Sequence, residues 1–456
     1  MRISLLLAFS LSSFTFAAES AAPKKPNILI IVADDLGYAD TGFNGSKTAI
    51  TPKLDSFVKS GIKLTDFRAC PMCSPTRAGL LTGRWPLRFG MMRAVIPPWS
   101  TYGLPESENT LPELLAKAGY ERRGIIGKWH LGHTNKSQLP LHHGFTHFVG
   151  HYNGAIDYFT HERENQLDWH QNHKPLREEG YATDLLAKHA VNFINNSPKD
   201  KPYFLYLPFN APHSPFQATR EDLALHASIK NNKRRSYAAM VSAMDRGIGK
   251  VLDAVDSRPD AHNTLVIFFS DNGGILSAGS NAPWRGAKLN LYEGGTRVVA
   301  ALRWPVRGLT SGKAFEGRIG YIDILPTVLR AAGVAPPKNL DGLNLLPVLR
   351  GKEDLPERPW FSYLHQSKSA SSSLHLGPWK LIVEGDAFNS DDLTLELYNL
   401  TSDPQEKSNL AEKHPDRAAE MLSQIKQFGT LQVPGATLYG EGRKGFSAPK
   451  EWLISK

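Results

Sequence analysis

The chain has 456 residues, 41% of them apolar and 21% charged, with a formal net charge of +9 at pH 7. This length and composition exclude a small binding module and a disordered chain, and predict one large domain, or one large plus one small, around a substantial core. The positive balance raises local concentrations of anionic partners, for an exported chain acidic polysaccharide sooner than nucleic acid, so no nucleic-acid partner is expected; a solvated surface with no partner accounts for the charge equally well.

In chain order, Arg2 is followed by an apolar run from Ile3 to Phe16, with small residues Ala17 and Ala18 before Glu19-Ser20. Residues 1–18 therefore read as a signal peptide, and the protein as exported, either periplasmic or secreted. No later stretch offers about 18 uninterrupted apolar positions, so no membrane span is expected.

After a linker at Ala22 to Pro26, the β-branched run Asn27 to Ala33 reads as a buried parallel strand ending at Asp34-Asp35. Pro52 to Ser60 has a helical pattern. The segment Cys73-Ser74-Pro75-Thr76-Arg77 opens another helix, with Ser74 predicted as N-cap, Pro75 at the first helical position and Gly83 at the end. Cys73 then stands at a helix N-terminus, where backbone donors favour an anion. Helical patterns follow at Leu111 to Ala118, Tyr181 to Ile194 and Tyr237 to Val255. Between them the strand Tyr203 to Leu207 leads into Asn210-Ala211-Pro212-His213, and a third, Thr264 to Phe269, ends at Ser270-Asp271-Asn272-Gly273-Gly274.

Alternating buried strands and helices predict an α/β sandwich with helices on both faces of the sheet. Ligands of such sheets gather at the carboxyl ends of strands. A helix from Ile324 to Ala332 precedes the turn Val334 to Pro337, after which strand candidates are shorter: Trp360 to Leu364, Trp379 to Val383 and Leu395 to Leu400, with a helix from Ala411 to Phe428. This divides the chain into a catalytic domain at 24–349 and a C-terminal subdomain at 350–456, the latter a small antiparallel sheet with a helix. Ser367 to Ser373 reads as low-complexity sequence, and 430–456 carries no assignment.

Asp34, Asp35, Asp271 and Asn272 supply three carboxylates and an amide from two strand ends. Oxygen-only donors of this kind suit a hard cation, calcium before magnesium. Each pair alone also reads as a turn. The only cysteines are Cys70 and Cys73. A C-x-x-C pair can be a redox dithiol or half a zinc site, but no second pair completes the latter.

Cys73-Ser74-Pro75-Thr76-Arg77 with Leu80-Leu81-Thr82-Gly83-Arg84 resembles the signature of type I sulfatases, whose cysteine is oxidised to formylglycine. The resemblance extends through Asp34-Asp35-Leu36-Gly37, Gly127-Lys128-Trp129-His130-Leu131-Gly132, Ala211-Pro212-His213, Asp271-Asn272-Gly273-Gly274, Arg285-Gly286-Ala287-Lys288 and Glu293-Gly294-Gly295. It implies an alkaline-phosphatase-like α/β sandwich with a large mixed, mainly parallel sheet. It also implies a Ca2+ ion held by Asp34, Asp35, Asp271, Asn272 and the formylglycine derived from Cys73.

By the same resemblance Arg77 and Lys128 hold the hydrated aldehyde, and His130 takes the proton for sulfate elimination. His213 and Lys288 contact the sulfate, and Lys128 also stands among the substrate-binding residues. A hydrate suits this task because its second hydroxyl can expel sulfate and restore the aldehyde, whereas serine would retain a stable ester. A formylglycine-generating or anaerobic sulfatase-maturating enzyme is the implied partner. Cys70 is no part of the signature and reads as a buried filler.

The sequence also resembles the N-acetylgalactosamine-4-sulfatase (arylsulfatase B) branch at Gly127 to Gly132, Asp157-Tyr158, His161-Glu162 and Trp284-Arg285-Gly286. That implies a sulfated polysaccharide or oligosaccharide substrate with a galacto-configured 4-sulfate, and Trp284, Tyr158, His142, His143 and Arg163 as candidate sugar contacts. The alternatives are a phosphatase or phosphodiesterase of the same superfold and a non-catalytic glycan-binding protein.

Overall fold

The computed structural model describes residues 24–366 and 369–454. The segment read as a signal peptide lies outside them. Among the described residues no helix is long and apolar enough to cross a membrane.

The Asn27–Ala33 strand sits in a ten-stranded sheet, buried along its whole length. It pairs in parallel with Thr264–Ser270 on one side and Tyr203–Pro208 on the other, and the parallel set continues through Arg122–Lys128 to His147–His151. Antiparallel strands Ala300–Arg303 and His170–Gln171 extend it at the two ends. This is the mixed, mainly parallel sheet of the alkaline-phosphatase-like sandwich.

Both faces of the strand are apolar because both are covered. Ile28, Ile30 and Val32 join a core with the Cys73–Thr82, Leu111–Lys117 and Ile324–Ala331 helices. Leu29, Ile31 and Ala33 face the opposite core, with Pro52–Ser60, Ala182–Asn195 and Asn232–Asp256. Side-chain alternation thus sends successive residues to opposite layers.

Three helix starts differ from the sequence reading, each with a local cause. The helix at 73 begins at Cys73 itself with Met72 as N-cap, so Ser74 and Pro75 lie inside the first turn. Ser74 Oγ is used elsewhere, donating to the His130 carbonyl at 2.9 Å and accepting from Ile96 N at 3.1 Å. Gly83 does end this helix, at φ +67. The long helix starts at Asn232, because Asn231 caps it through Arg234 N and its first turn is polar, outside any apolar pattern. The last helix spans Pro415–Gly429, its start fixed by Pro415.

Ser371–Leu376, which begins in what reads as low complexity and runs past it, is a strand. It pairs on both sides within the C-terminal four-stranded antiparallel sheet, between Trp360–Leu364 and Trp379–Glu384, and the last strand is Thr394–Asn399. That sheet and the Pro415–Gly429 helix share a small core of their own, with Leu374, Leu381, Met421 and Ile425.

Buried charge joins this small sheet to the layers around the ten-stranded one. Glu293 receives Arg68 Nη1 and Nη2 at 2.6 and 2.7 Å, and Lys380 Nζ at 2.8 Å. Lys380 also pairs with Glu406 at 2.8 Å, and Glu406 accepts from Glu293 N at 2.7 Å.

Candidate active site

Parallel strands deliver their carboxyl ends to one edge. Ala33 is in register with Ser270, so Asp34 and Asp35 emerge beside Asp271 and Asn272. Lys128 ends the neighbouring strand but one, and His213 follows the strand between them. Cys73, at the first turn of its buried helix, meets this edge from above. One ligand atom each from Asp34, Cys73 and Asp271 lie within 4.8 Å of one another, as do those of Asp34, Asp35 and His213.

The carboxylates are braced by three cations. Arg77 Nη2 and Nε donate to Asp271 Oδ2 at 2.7 and 3.1 Å, and Nη1 donates to the Lys128 carbonyl at 3.2 Å. Lys128 Nζ is 2.5 Å from Asp34 Oδ2. Lys288 Nζ is 2.7 Å from Asp35 Oδ1, which also accepts from Asn272 Nδ2 at 2.7 Å. Arg77 and Lys128 are thus committed to the acidic strand ends and are fully buried.

Burial and the charge of Asp34 push the Asp271 carboxyl up to about 6. Burial acts in the same sense on Asp35, but Lys288 and His213 outweigh it and hold that carboxyl below the usual range. Asp34 Oδ1 and Asn272 Oδ1 are buried acceptors without a hydrogen-bond donor among the described residues. Two orphaned oxygens beside a carboxylate that resists ionisation are what an oxygen-ligated divalent cation would satisfy. The donor set fits calcium.

Cys73 Sγ lies 3.3 Å from His130 Nδ1. His130 Nε2 is 2.9 Å from the Ile96 carbonyl, which requires a proton on Nε2 and leaves Nδ1 as the acceptor facing Cys73. Burial, then Lys128 and Arg77, hold His130 well below the usual histidine range, so it is neutral. Its ring packs on Gly154, where a Cβ would fall 2.4 Å from His130 Nε2. His213 Nδ1 is 2.6 Å from the Ser214 carbonyl, and Nε2 is 3.6 Å from Asp35. His130 and Asp35 adopt φ of 56° and 64°, a left-handed backbone that non-glycine residues keep only where surroundings impose it.

Above Cys73 opens a cavity of about 420 Å³, lined by His130, His213, Lys288, Arg163 and Tyr439 among others. Both cysteines are free and buried. Cys70 bonds Tyr321 Oη at 3.1 Å, and burial pushes its thiol up to about 12, an inert filler as expected.

Residues 26–334 match the Sulfatase family model. The chain belongs to the sulfatase family. Residues 286–429 match a second model, N-sulphoglucosamine sulphohydrolase, C-terminal. The chain is 36% identical to human (Homo sapiens) N-acetylgalactosamine-6-sulfatase over 372 residues, 75% of this chain and 69% of that protein. It is 30% identical to mouse (Mus musculus) arylsulfatase J over 471 residues, 91% of this chain and 78% of that protein. Among solved structures, Ps i-CgsB is similar with a TM-score of 0.85 and 33% identity, covering 92% of this chain and 96% of that one. This sulfatase is therefore an enzyme that hydrolyses sulfate esters of sulfated sugars, and the phosphatase alternative is set aside.

Of the candidate sugar contacts, only Arg163 lines the cavity. Tyr158 is buried, its hydroxyl donating to the carbonyls of Asn210 and His213 at 2.5 and 2.8 Å, so it shapes the His213 loop from beneath. His143 is buried against Trp129. His142 pairs with His173 away from the cavity. Trp284, expected among the substrate-binding residues, is instead held between Tyr38 and the Arg297 guanidinium, 4.1 Å from the ring centroid. Sequence reasoning missed Gly154, Gln366 and Tyr439, none of which carries a local signal.

Proposed function

We propose that this sulfatase removes a 4-sulfate from galactose or N-acetylgalactosamine in a sulfated polysaccharide, with Cys73 converted to formylglycine as the nucleophile. The observation that carries this reading is the meeting of Cys73 and His130 Nδ1 at 3.3 Å, under a cavity walled by Lys288 and His213. Support for a galactan substrate comes from a solved structure titled Ps i-CgsB in complex with k-i-k-neocarrahexaose, to which the chain is 33% identical with a TM-score of 0.84.

Asp34, Asp35, Asp271, Asn272 and the matured Cys73 would hold the calcium ion, whose charge favours an ionised nucleophile and a bound anion. Neutral His130 receives the proton released at residue 73. Lys288 Nζ faces the sulfate, neutralises its oxygens and supplies a proton to the departing sugar oxygen, and His213 stands beside it as a neutral ring whose Nδ1 proton goes to the Ser214 carbonyl. Overall, water adds a hydroxyl to sulfur and a proton to the sugar, and the sulfate ester bond breaks. A formylglycine-generating or anaerobic maturating enzyme is the partner this requires, and the exported compartment is where sulfated polysaccharide would be met.

The test is a screen of galactose and N-acetylgalactosamine sulfated at the 4- or 6-position, with release followed by ion chromatography. Faster turnover of the 4-sulfates supports the proposal; a preference for the 6-sulfates overturns the assigned position. Chelation of the metal should abolish turnover and lower the melting temperature, both restored by calcium. An ion held at about a hundred times its Kd stabilises by about 2.7 kcal/mol. Lys288→Ala should lower kcat by about a hundredfold or more with a smaller change in KM, because its charge is needed most as negative charge develops on the leaving oxygen. A pure KM effect in steady-state kinetics contradicts that role.

A further inference from the structure

Arg163, Gln366 and Tyr439 also line the cavity and have no role in the reaction proposed above. Arg163 Nε is buried and has no hydrogen-bond acceptor among the described residues. The nearest carboxylate paired with it, Glu164 Oε1, is 3.6 Å away, beyond hydrogen-bond reach. The side chain is 26% exposed and a guanidinium cannot shed its proton, so its remaining N–H groups stay charged donors that an incoming anion can meet. No aspartate or glutamate lines the cavity, so an incoming anion competes for Arg163 only with the longer Glu164 pair.

The backbone that presents Arg163 is fixed from two sides. Glu162–Arg163 and Gln166–Leu167 form a hairpin whose two turn residues, Glu164 and Asn165, have φ of 51° and 59°, the sense of twist that closes tight hairpins. The C-terminal segment then clamps it. Trp452 Nε1 donates to the Arg163 carbonyl at 3.0 Å, and Glu451 N donates to Gln166 Oε1 at 3.0 Å. Trp452 is buried, packed against His133 and Phe446. The same segment supplies Tyr439, whose N donates to the Gln366 carbonyl at 3.0 Å and whose carbonyl accepts from Trp99 Nε1 at 2.9 Å.

We propose that Arg163 is a specificity-determining residue that binds a second anionic group of the substrate, a sulfate or carboxylate carried near the sulfate being hydrolysed. This rests on the proposed function, that a sulfated glycan occupies the cavity. It assigns the enzyme to polyanionic glycans ahead of singly sulfated ones.

The experiment compares wild type with Arg163→Gln on three disaccharides: one monosulfated, one disulfated, and one monosulfated with a uronate. The readout is the kcat/KM of each dianionic probe divided by that of the monosulfated one. A charge-assisted contact of this kind predicts a fall of about tenfold or more in that ratio, expressed in KM, with partial recovery in Arg163→Lys. The probe that responds distinguishes sulfate from carboxylate. Equal losses on all three probes, or no loss on any, overturn the proposal. Binding of the same probes to Cys73→Ala, with and without Arg163→Gln, is measured by calorimetry and gives the corresponding ratio in Kd. Because that ratio needs no turnover, failure of the proposed hydrolysis and failure of this inference are separate results.

Discussion

Cys73→Ala is expected to abolish sulfate release, with kcat lowered on the order of 10⁴-fold or more, while the fold persists. The side chain lies in the first turn of a helix buried at every position, and its Sγ is the atom that faces His130 Nδ1. Removing it deletes the proposed nucleophile and leaves His130, held by Ile96, with nothing to deprotonate. The packing loss is one buried sulfur beside Met72 and Val95, a minor fraction of the core. Sulfate release from an aryl sulfate and a thermal melt check the two halves of the expectation. Full turnover by the variant would end the assignment of Cys73 as nucleophile. In the wild type, the peptide containing residue 73 should be lighter by about 18 Da than the thiol form, the signature of formylglycine.

The second large effect is on stability. Glu293→Ala should destabilise the protein by about 2–3 kcal/mol, because it removes the carboxylate that two buried cations share and leaves Arg68 with Asp66 alone and Lys380 with Glu406 alone. Arg68 and Glu293 belong to the catalytic layers, whereas Lys380 and Glu406 come with the C-terminal sheet, so the loss falls on the junction between the two. Burial opposes ionisation of Glu293, and Arg68 with Lys380 outweigh it, holding its carboxyl well below the ordinary value of 4.5. A depressed carboxyl contributes stability that is complete above the unfolded value and lost as pH falls through the folded one. The junction should therefore withstand mildly acidic conditions in wild type. Chemical denaturation of the variant checks the magnitude; a change below about 1 kcal/mol would show that the cations find other partners.

Much of the site was legible because it is written in local pattern. The runs Asn27 to Ala33, Tyr203 to Leu207 and Thr264 to Phe269 are strands within a residue of their expected bounds, since strands buried on both faces have to be continuously apolar. Their polar ends fall on one edge because the strands are parallel. The strand Ser371–Leu376 escaped notice because three serines give little strand propensity, and it is pairing on both sides that makes it one. Tyr158 and His143 read as candidate sugar contacts, yet both are buried, which no neighbour in the chain reveals.

The amino-acid sequence by itself determined the inventory: the oxygen donors at strand ends, the cysteine at a helix start, the alternation of strands with helices, and the likeness to the sulfatase family. Tertiary structure decided which groups touch. His130 meets Cys73 across 57 residues, Arg77 meets Asp271 across 194, and Trp452 fixes Arg163 across 289. Hydrophobic periodicity is a property of neighbouring residues and can be read along the chain. Contacts that fix charge, protonation and the wall of a cavity form only when distant segments pack, and their geometry depends on every layer between them.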